Sequence, residues 1–150
     1  ITEYDVWQLT SNLTATATPI TTFTRPSGTL QTYLGTGMSS SSGIWTFPST
    51  GIWEVKVEAL YSQSADNQLA EVRIFASDDN FATEDEIGYN SYRAKNPDVG
   101  SGSIRVLLDI QDTSNDKVKF TYTDSNGSAN LLGESTKNRT TFQFVKISDT

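Results

Sequence analysis

The chain has 150 residues, no cysteine, no histidine and a net charge of −7, a composition that excludes several kinds of site. Without cysteine there is no disulfide or thiolate ligand, and without histidine there is no Ser-His-Asp or Cys-His arrangement. The negative charge and the scattered basic residues argue against nucleic-acid binding. No apolar run is long enough to span a membrane, so no membrane insertion is expected. We predict a single domain over residues 1–150, a module or processed fragment of a longer chain.

Short segments of alternating apolar and polar residues follow one another along the chain and predict about ten β-strands. The clearest alternation runs from Trp53 to Tyr61, after the turn Pro48-Ser-Thr-Gly51, and the Ser-rich tract 37–43 is predicted to be a loop. The predicted extended segments cover residues 4–10, 18–25, 29–35, 44–47, 52–61, 69–77, 86–93, 103–111, 118–122 and 140–147. Regular spacing with turn residues between the strands indicates an antiparallel β-sandwich or barrel.

The segment Gly43-Ile-Trp-Thr-Phe-Pro-Ser-Thr-Gly-Ile-Trp-Glu-Val55 resembles the Gly-x-Phe-x-x-Pro-x-x-Gly-x-Tyr motif of the TNF-like jelly rolls. That superfamily includes the globular head of the complement q component. Pro19-Ile-Thr-Thr-Phe23 and Thr141-Phe-Gln-Phe-Val-Lys-Ile147 resemble an early and the final strand of those heads. The resemblance implies an all-β, TNF-like jelly roll that forms a homotrimer. Phe144 or its neighbour replaces the usual glycine of the last strand, so the packing at the three-fold axis does not carry over.

Other phrases are similar to jelly-roll modules in virion proteins of marine bacteriophages. They are Trp7-Gln-Leu-Thr10, Tyr33-Leu-Gly-Thr-Gly-Met38 and Leu108-Asp-Ile-Gln-Asp-Thr-Ser-Asn115. This resemblance implies a non-enzymatic structural or receptor-binding module of the virion, such as a trimeric tail-fibre knob that contacts a host cell-surface glycan or protein through its loops. Two alternatives stay open: a carbohydrate-binding or glycan-hydrolysing module, and a secreted cellular adhesion or ligand domain of TNF-like or complement-like type.

In the TNF-like trimer that the resemblance implies, segments 52–61, 103–111 and 140–147 would belong to the sheet that faces the three-fold axis. The faces of these segments that point away from the sandwich are largely charged, and a monomer with solvated charges is the alternative. The last segment is apolar on both faces, which favours a covering partner. The predicted trimer interface consists of Glu54, Lys56, Arg105, Leu107, Asp109, Phe142 and Phe144.

The densest acidic cluster runs from Asp78 to Glu86. Calcium prefers several oxygen ligands, but the cluster lacks the spacing of a dedicated calcium loop, so a solvated acidic loop without metal or cofactor is predicted. A carboxylate pair such as Asp79 and Glu84 could hydrolyse a glycosidic bond. A β-rich chain with 18 acidic residues supplies such pairs by chance, and no catalytic residue is predicted.

Tyr89, Asn90, Tyr92 and Arg93 form a segment whose aromatic and amide side chains could contact a sugar from a loop, with Lys95 and Asn96 beside them. The alternative is that these tyrosines pack at the rim of the sandwich. The sequence therefore predicts this segment as a candidate ligand loop.

Overall fold

The computed structural model describes residues 1–66, 68–94 and 97–150. Within these ranges the chain forms twelve strands and no helix, and so no helix that could cross a membrane. The strands are β1 (Tyr4–Leu9), β2 (Ser11–Leu13), β3 (Phe23–Thr24), β4 (Ser39–Ser41), β5 (Ile44–Thr46), β6 (Gly51–Gln63), β7 (Gln68–Ser77), β8 (Asp85–Ala94), β9 (Asp98–Ile110), β10 (Lys117–Asp124), β11 (Ala129–Glu134) and β12 (Thr141–Ser148).

The strands build two antiparallel sheets with a common core between them. In the seven-stranded sheet, β6 pairs with β9 along one side, while β12 and β11 share its other side. β1 and β3 continue this sheet beyond β12, and β2 continues it beyond β11. The five-stranded sheet has the order β4-β5-β10-β7-β8. The predicted all-β antiparallel sandwich is confirmed, and segments 52–61, 103–111 and 140–147 lie in one sheet.

The core follows directly from the period of two along the long strands. In β6, every second side chain from Trp53 to Tyr61 is buried, and the side chains between them face outward. From the five-stranded sheet, Trp45, Phe120 and Tyr122 meet this layer and are themselves completely buried. Trp45 and its aromatic neighbours pack edge-on or tilted, the arrangement that aromatic rings prefer in cores.

Several predicted boundaries were wrong, mostly where serine, glycine or asparagine weakens the strand signal. Segment 29–35 contributes only an isolated bridge between Tyr4 and Leu34, and segment 18–25 contains only the two-residue strand β3. Part of the Ser-rich tract forms β4, and β2 and β11 were not predicted. These short strands are held by pairing with neighbouring strands, which a single sequence does not reveal.

The side of the sandwich between β8 and β9 is closed by side chains of β8 that lie over glycines of β9. Tyr92 lies against Gly100 and Asn90 against Gly102. The Tyr92 ring also stacks on Tyr61 at 5.7 Å, and the Tyr61 hydroxyl donates to Asn90 Oδ1 at 2.8 Å. Burial raises the pKa of the Tyr61 hydroxyl, which therefore stays protonated as this donor. Gly100 and Gly102 weaken the strand signal of this stretch, and β9 begins at Asp98, five residues before the predicted 103–111 segment.

Gly102→Val is expected to lower the free energy of unfolding by about 1–3 kcal/mol, because a Cβ at this position would lie within 2.5 Å of the Asn90 amide carbon. Denaturant unfolding of the variant measures the effect. Ser91→Val, on the exposed face of β8, is the control and should change stability by about 0.5 kcal/mol or less. Equal stability of the two variants would show that Asn90 does not close this side of the sandwich.

Candidate functional site

The outward face of the seven-stranded sheet brings together most of the residues predicted at a trimer interface. Glu54 lies opposite Leu107 on β9, and Lys56 lies opposite Arg105. Arg105 Nε lies 3.2 Å from a Glu54 carboxylate oxygen, and Lys56 pairs with Glu58 on the same strand. Four charges of this face, those of Glu54, Arg105, Lys56 and Glu58, are therefore paired within one chain.

Asp109 lies at the end of the same face. It stands opposite Ile52 and accepts a hydrogen bond from the Gln111 side chain at 3.0 Å. Leu107, by contrast, is 65% exposed, with its side chain projecting from β9 between two charged neighbours. Of the predicted interface residues, Leu107 is thus the apolar one that the described chain leaves uncovered.

Phe142 and Phe144 do not line this face, and the structure corrects their predicted position. Both are completely buried and contact rings of the five-stranded sheet, with Phe142 4.7 Å from Phe120 and Phe144 5.1 Å from Trp45 between ring centroids. The outward residues of β12 are Gln143, Val145 and Ile147. The sequence pattern identified the two faces of β12. Because both faces carry apolar residues, the pattern did not show which face points into the core.

At the β1 end of the same face lies an apolar groove of about 340 Å³ that sequence analysis did not predict. The β1 groove, as we call it, is lined chiefly by Tyr4, Val6, Pro26, Leu30, Tyr33 and Leu34. Leu30 is 95% exposed and Leu34 is 50% exposed. Tyr4 lies in the same cross-strand row as Val145, Glu54 and Leu107, so the groove and Leu107 mark opposite ends of one row.

The wall of the β1 groove is the segment 26–36, which Asp5 attaches to the sheet. Asp5 is 1% exposed and accepts hydrogen bonds from Arg25 Nε and Nη2 at 3.0 and 2.8 Å. It also accepts from the Trp7 indole at 2.9 Å and from the Met38 backbone at 2.7 Å. The hydrogen bonds to Asp5 raise the pKa of the Arg25 guanidinium, so Arg25 keeps its positive charge in this contact.

Two further contacts hold the same wall. The Arg25 guanidinium lies between the rings of Trp7 and Tyr33, 4.4 and 4.3 Å from their centroids, in a cation–π arrangement. The Glu3 carboxylate accepts from the backbone amides of Thr36 and Gly37 at 3.1 and 3.0 Å. The single sequence signal for this network was an aspartate at a core-facing position of β1, because Arg25 and Met38 lie 20 and 33 residues away.

The candidate ligand loop is not a loop. Tyr89, Asn90, Tyr92 and Arg93 lie on strand β8, so their side chains alternate between two faces. Asn90 and Tyr92 close the side of the sandwich against β9, whereas Tyr89 and Arg93 are exposed on the outward face of the five-stranded sheet. Lys95 and Asn96 lie outside the described residues. The predicted segment therefore separates into a structural pair and an exposed pair.

The acidic segment forms a tight turn stabilised by its own side chains. Asp79 accepts from the backbone and hydroxyl of Thr83 at 2.9 and 2.7 Å and from the Ser77 hydroxyl at 2.8 Å. These hydrogen bonds lower the pKa of the Asp79 carboxyl, and those from Thr83 have the largest effect. Glu84 instead pairs with Lys119. Within the described residues no three carboxylates converge as metal ligands, and the two members of the suggested Asp79–Glu84 pair have separate partners.

Comparison with known proteins identifies the fold and nothing finer. No protein-family model matches the chain, and no curated protein matches it. Among solved structures it is similar to Eiger TNF from S. frugiperda, with a TM-score of 0.61 and 13% identity over 99% of this chain and 95% of that chain. The fold is therefore a TNF-like jelly roll, as predicted. The complement and bacteriophage resemblances rest on sequence phrases alone and stay predictions, because shared fold does not fix function.

Proposed function

We propose that this chain is a non-enzymatic recognition or structural module that assembles as a homotrimer. The observation that carries the proposal is the outward face of the seven-stranded sheet, which has exposed apolar side chains at both ends of one row. Tyr4 and Leu34 stand at the β1 end, and Leu107 stands at the β9 end, roughly 14 Å away across three strand spacings. Exposed apolar groups gathered on one sheet face are typical of an interaction surface.

The two ends are different surfaces, one a groove and the other a projecting side chain on an edge strand. A contact between unlike patches is heterologous, and it closes into a ring when the rotation between copies permits. The TNF-like fold supports three as the number of copies. Such a ring would also cover β9, a strand of 13 residues that, among the described residues, pairs only with β6 and leaves its other edge without a strand partner.

The charges between the two ends support the same assembly. Glu54 is paired with Arg105 and Lys56 with Glu58 within each copy, so a second copy could cover them without leaving an isolated charge. Because these pairs lie within one chain rather than across the interface, high salt should leave the trimer intact. An interface held by charge pairs between copies would instead weaken with salt.

A trimer presents three copies of every loop and outer face, so that a weak contact with a cell-surface partner gains avidity. Two settings fit this role. The sequence phrases support a knob of a virion appendage that binds a host cell surface, whereas the fold is equally that of a secreted TNF-like ligand domain. Coding sequence adjacent to this segment separates them: tail-attachment or repetitive β segments support the virion, and a collagen-like or coiled-coil stalk supports the cellular protein.

Leu107→Arg tests the assembly, because it places a charge at the apolar end of the row. We expect light scattering on a sizing column to give three chains for the wild type, in low and high salt, and one chain for Leu107→Arg. Tyr89→Arg is the matched control, an exposed side chain on the other sheet, and should remain a trimer. An unchanged mass for Leu107→Arg would exclude this face from the interface.

A further inference from the structure

Tyr89 is half-exposed on the outward face of the five-stranded sheet and is held in one position by its neighbours on β7. Its hydroxyl donates to Glu71 Oε1 at 2.7 Å, and the Arg73 guanidinium lies 5.2 Å from the centre of its ring. Tyr89 is 49% exposed, although its hydroxyl and its ring are both held by these contacts. An aromatic ring fixed in this way loses little conformational entropy when a ligand stacks on it.

Polar groups held in place by hydrogen bonds and ion pairs surround the Tyr89 ring. Glu71 is 8% exposed, and its second oxygen accepts from Arg73 Nη2 at 2.9 Å. Arg73 Nε lies 3.3 Å from Glu86 Oε2, and the Glu86 side chain is 44% exposed. Ser91, the cross-strand partner of Glu71, is exposed beside Tyr89. We call this set the Tyr89 platform; with the exposed Arg93 it comprises Tyr89, Glu71, Arg73, Glu86, Ser91 and Arg93.

The charge of the platform restricts the ligand it can bind. Two carboxylates and two guanidinium groups cancel, so the platform offers hydrogen-bond donors and acceptors without a net charge. A polyanion needs an excess of positive charge, which neither the platform nor a chain of net charge −7 supplies. An apolar peptide needs a broad apolar surface, and the platform has one exposed ring. A pyranose has an apolar C–H face for that ring and hydroxyl groups at its edge for carboxylate, guanidinium and serine.

We propose that the Tyr89 platform binds a neutral hexose glycan, with one sugar ring stacked on Tyr89 and its hydroxyls bound by the surrounding polar groups. This inference rests on the proposed recognition function and names the class of partner for one surface of the module. The proposed site differs from the predicted loop because it spans two strands. Glu71 and Arg73 on β7 belong to it, whereas Asn90 and Tyr92 pack against β9 and do not.

The test is a titration of isotope-labelled protein with neutral oligosaccharides of glucose, mannose, galactose and N-acetylglucosamine, followed by NMR chemical shifts. With at least one series we expect millimolar binding whose shifts centre on β7 and β8 around Tyr89. Tyr89→Ala should weaken that binding about tenfold or more, as expected for the loss of an aromatic contact. Tyr89→Phe keeps the ring and should retain most of it. A heparin fragment serves as the anionic comparison and should not bind here.

Glu84→Ala is the control, because the Glu84 side chain is also partly exposed but pairs with Lys119 and lies outside both the Tyr89 platform and the β1 groove. It should bind as the wild type does. The inference is overturned if no neutral series shifts the platform, if the shifts centre elsewhere, or if Tyr89→Ala binds unchanged. Mass measured on the same samples separates the two proposals: glycan binding by a monomer would retain the platform and reject the trimer, and a trimer without binding would do the reverse.

Discussion

Asp5→Ala is expected to lower the free energy of unfolding by about 3–5 kcal/mol, because it removes the acceptor at the centre of a buried network. The carboxylate accepts four hydrogen bonds, from Arg25 Nε and Nη2, the Trp7 indole and the Met38 backbone. Arg25 is partly exposed and can recover some hydration, but the Met38 amide and the Trp7 indole would lose their acceptor. Denaturant unfolding at a fixed protein concentration measures the change, since assembly would make stability depend on concentration.

Two variants show whether the network or simply a lost charge is responsible. Asp5→Asn keeps one oxygen acceptor and should cost less than alanine. Glu84→Ala removes the carboxylate of the Lys119 ion pair, in which the Glu84 side chain is 41% exposed, and should cost about 1 kcal/mol or less. A cost for Asp5→Ala as small as that of Glu84→Ala would contradict the role we give this network.

Trp45→Ala is expected to cost about 3–5 kcal/mol, the usual range for truncating a buried aromatic residue. Trp45 is completely buried where the two sheets meet, with ring centroids 5.1 Å from Trp7, 4.8 Å from Phe23 and 5.1 Å from Phe144. The cavity left by alanine would remove contacts with both sheets at once. Denaturant unfolding, as for Asp5→Ala, measures the change in the free energy of unfolding.

Trp45→Phe provides the internal control for this prediction. Among the described residues the buried indole Nε1 of Trp45 has no hydrogen-bond acceptor, so phenylalanine removes some volume but also removes an unpartnered donor. We therefore expect a clearly smaller loss of stability than for alanine. Equal losses for the two variants would contradict the smaller loss expected from removing an unpartnered donor.

Alternation along the chain was sufficient to predict the sandwich and the core-facing side of β6. Trp53, Val55 and Val57 fall on one face because the alternation from Trp53 to Tyr61 repeats over nine positions, and that face is buried. Alternation says nothing about which strands become neighbours. β2, β4 and β11 are short, and pairing with neighbouring strands holds them in the sheets.

The candidate surfaces were harder to predict for the same reason. Phe142 and Phe144 could be placed on one face of β12, but only the opposite sheet shows that this face is the interior. The β1 groove depends on Asp5 meeting Arg25 across a long loop, and the Tyr89 platform depends on β7 lying beside β8. Both arise from contacts between residues distant in sequence.

The central claim is that one face of the seven-stranded sheet joins copies of this chain head to tail. The most direct test is the absolute mass of the wild-type protein in solution, measured by light scattering over a wide range of dilution. Our account predicts three chains, unaffected by salt, down to the concentration at which the complex dissociates. One chain at every concentration would contradict it, and a stable mass of two chains would indicate a symmetric contact that the unlike ends of this face do not predict.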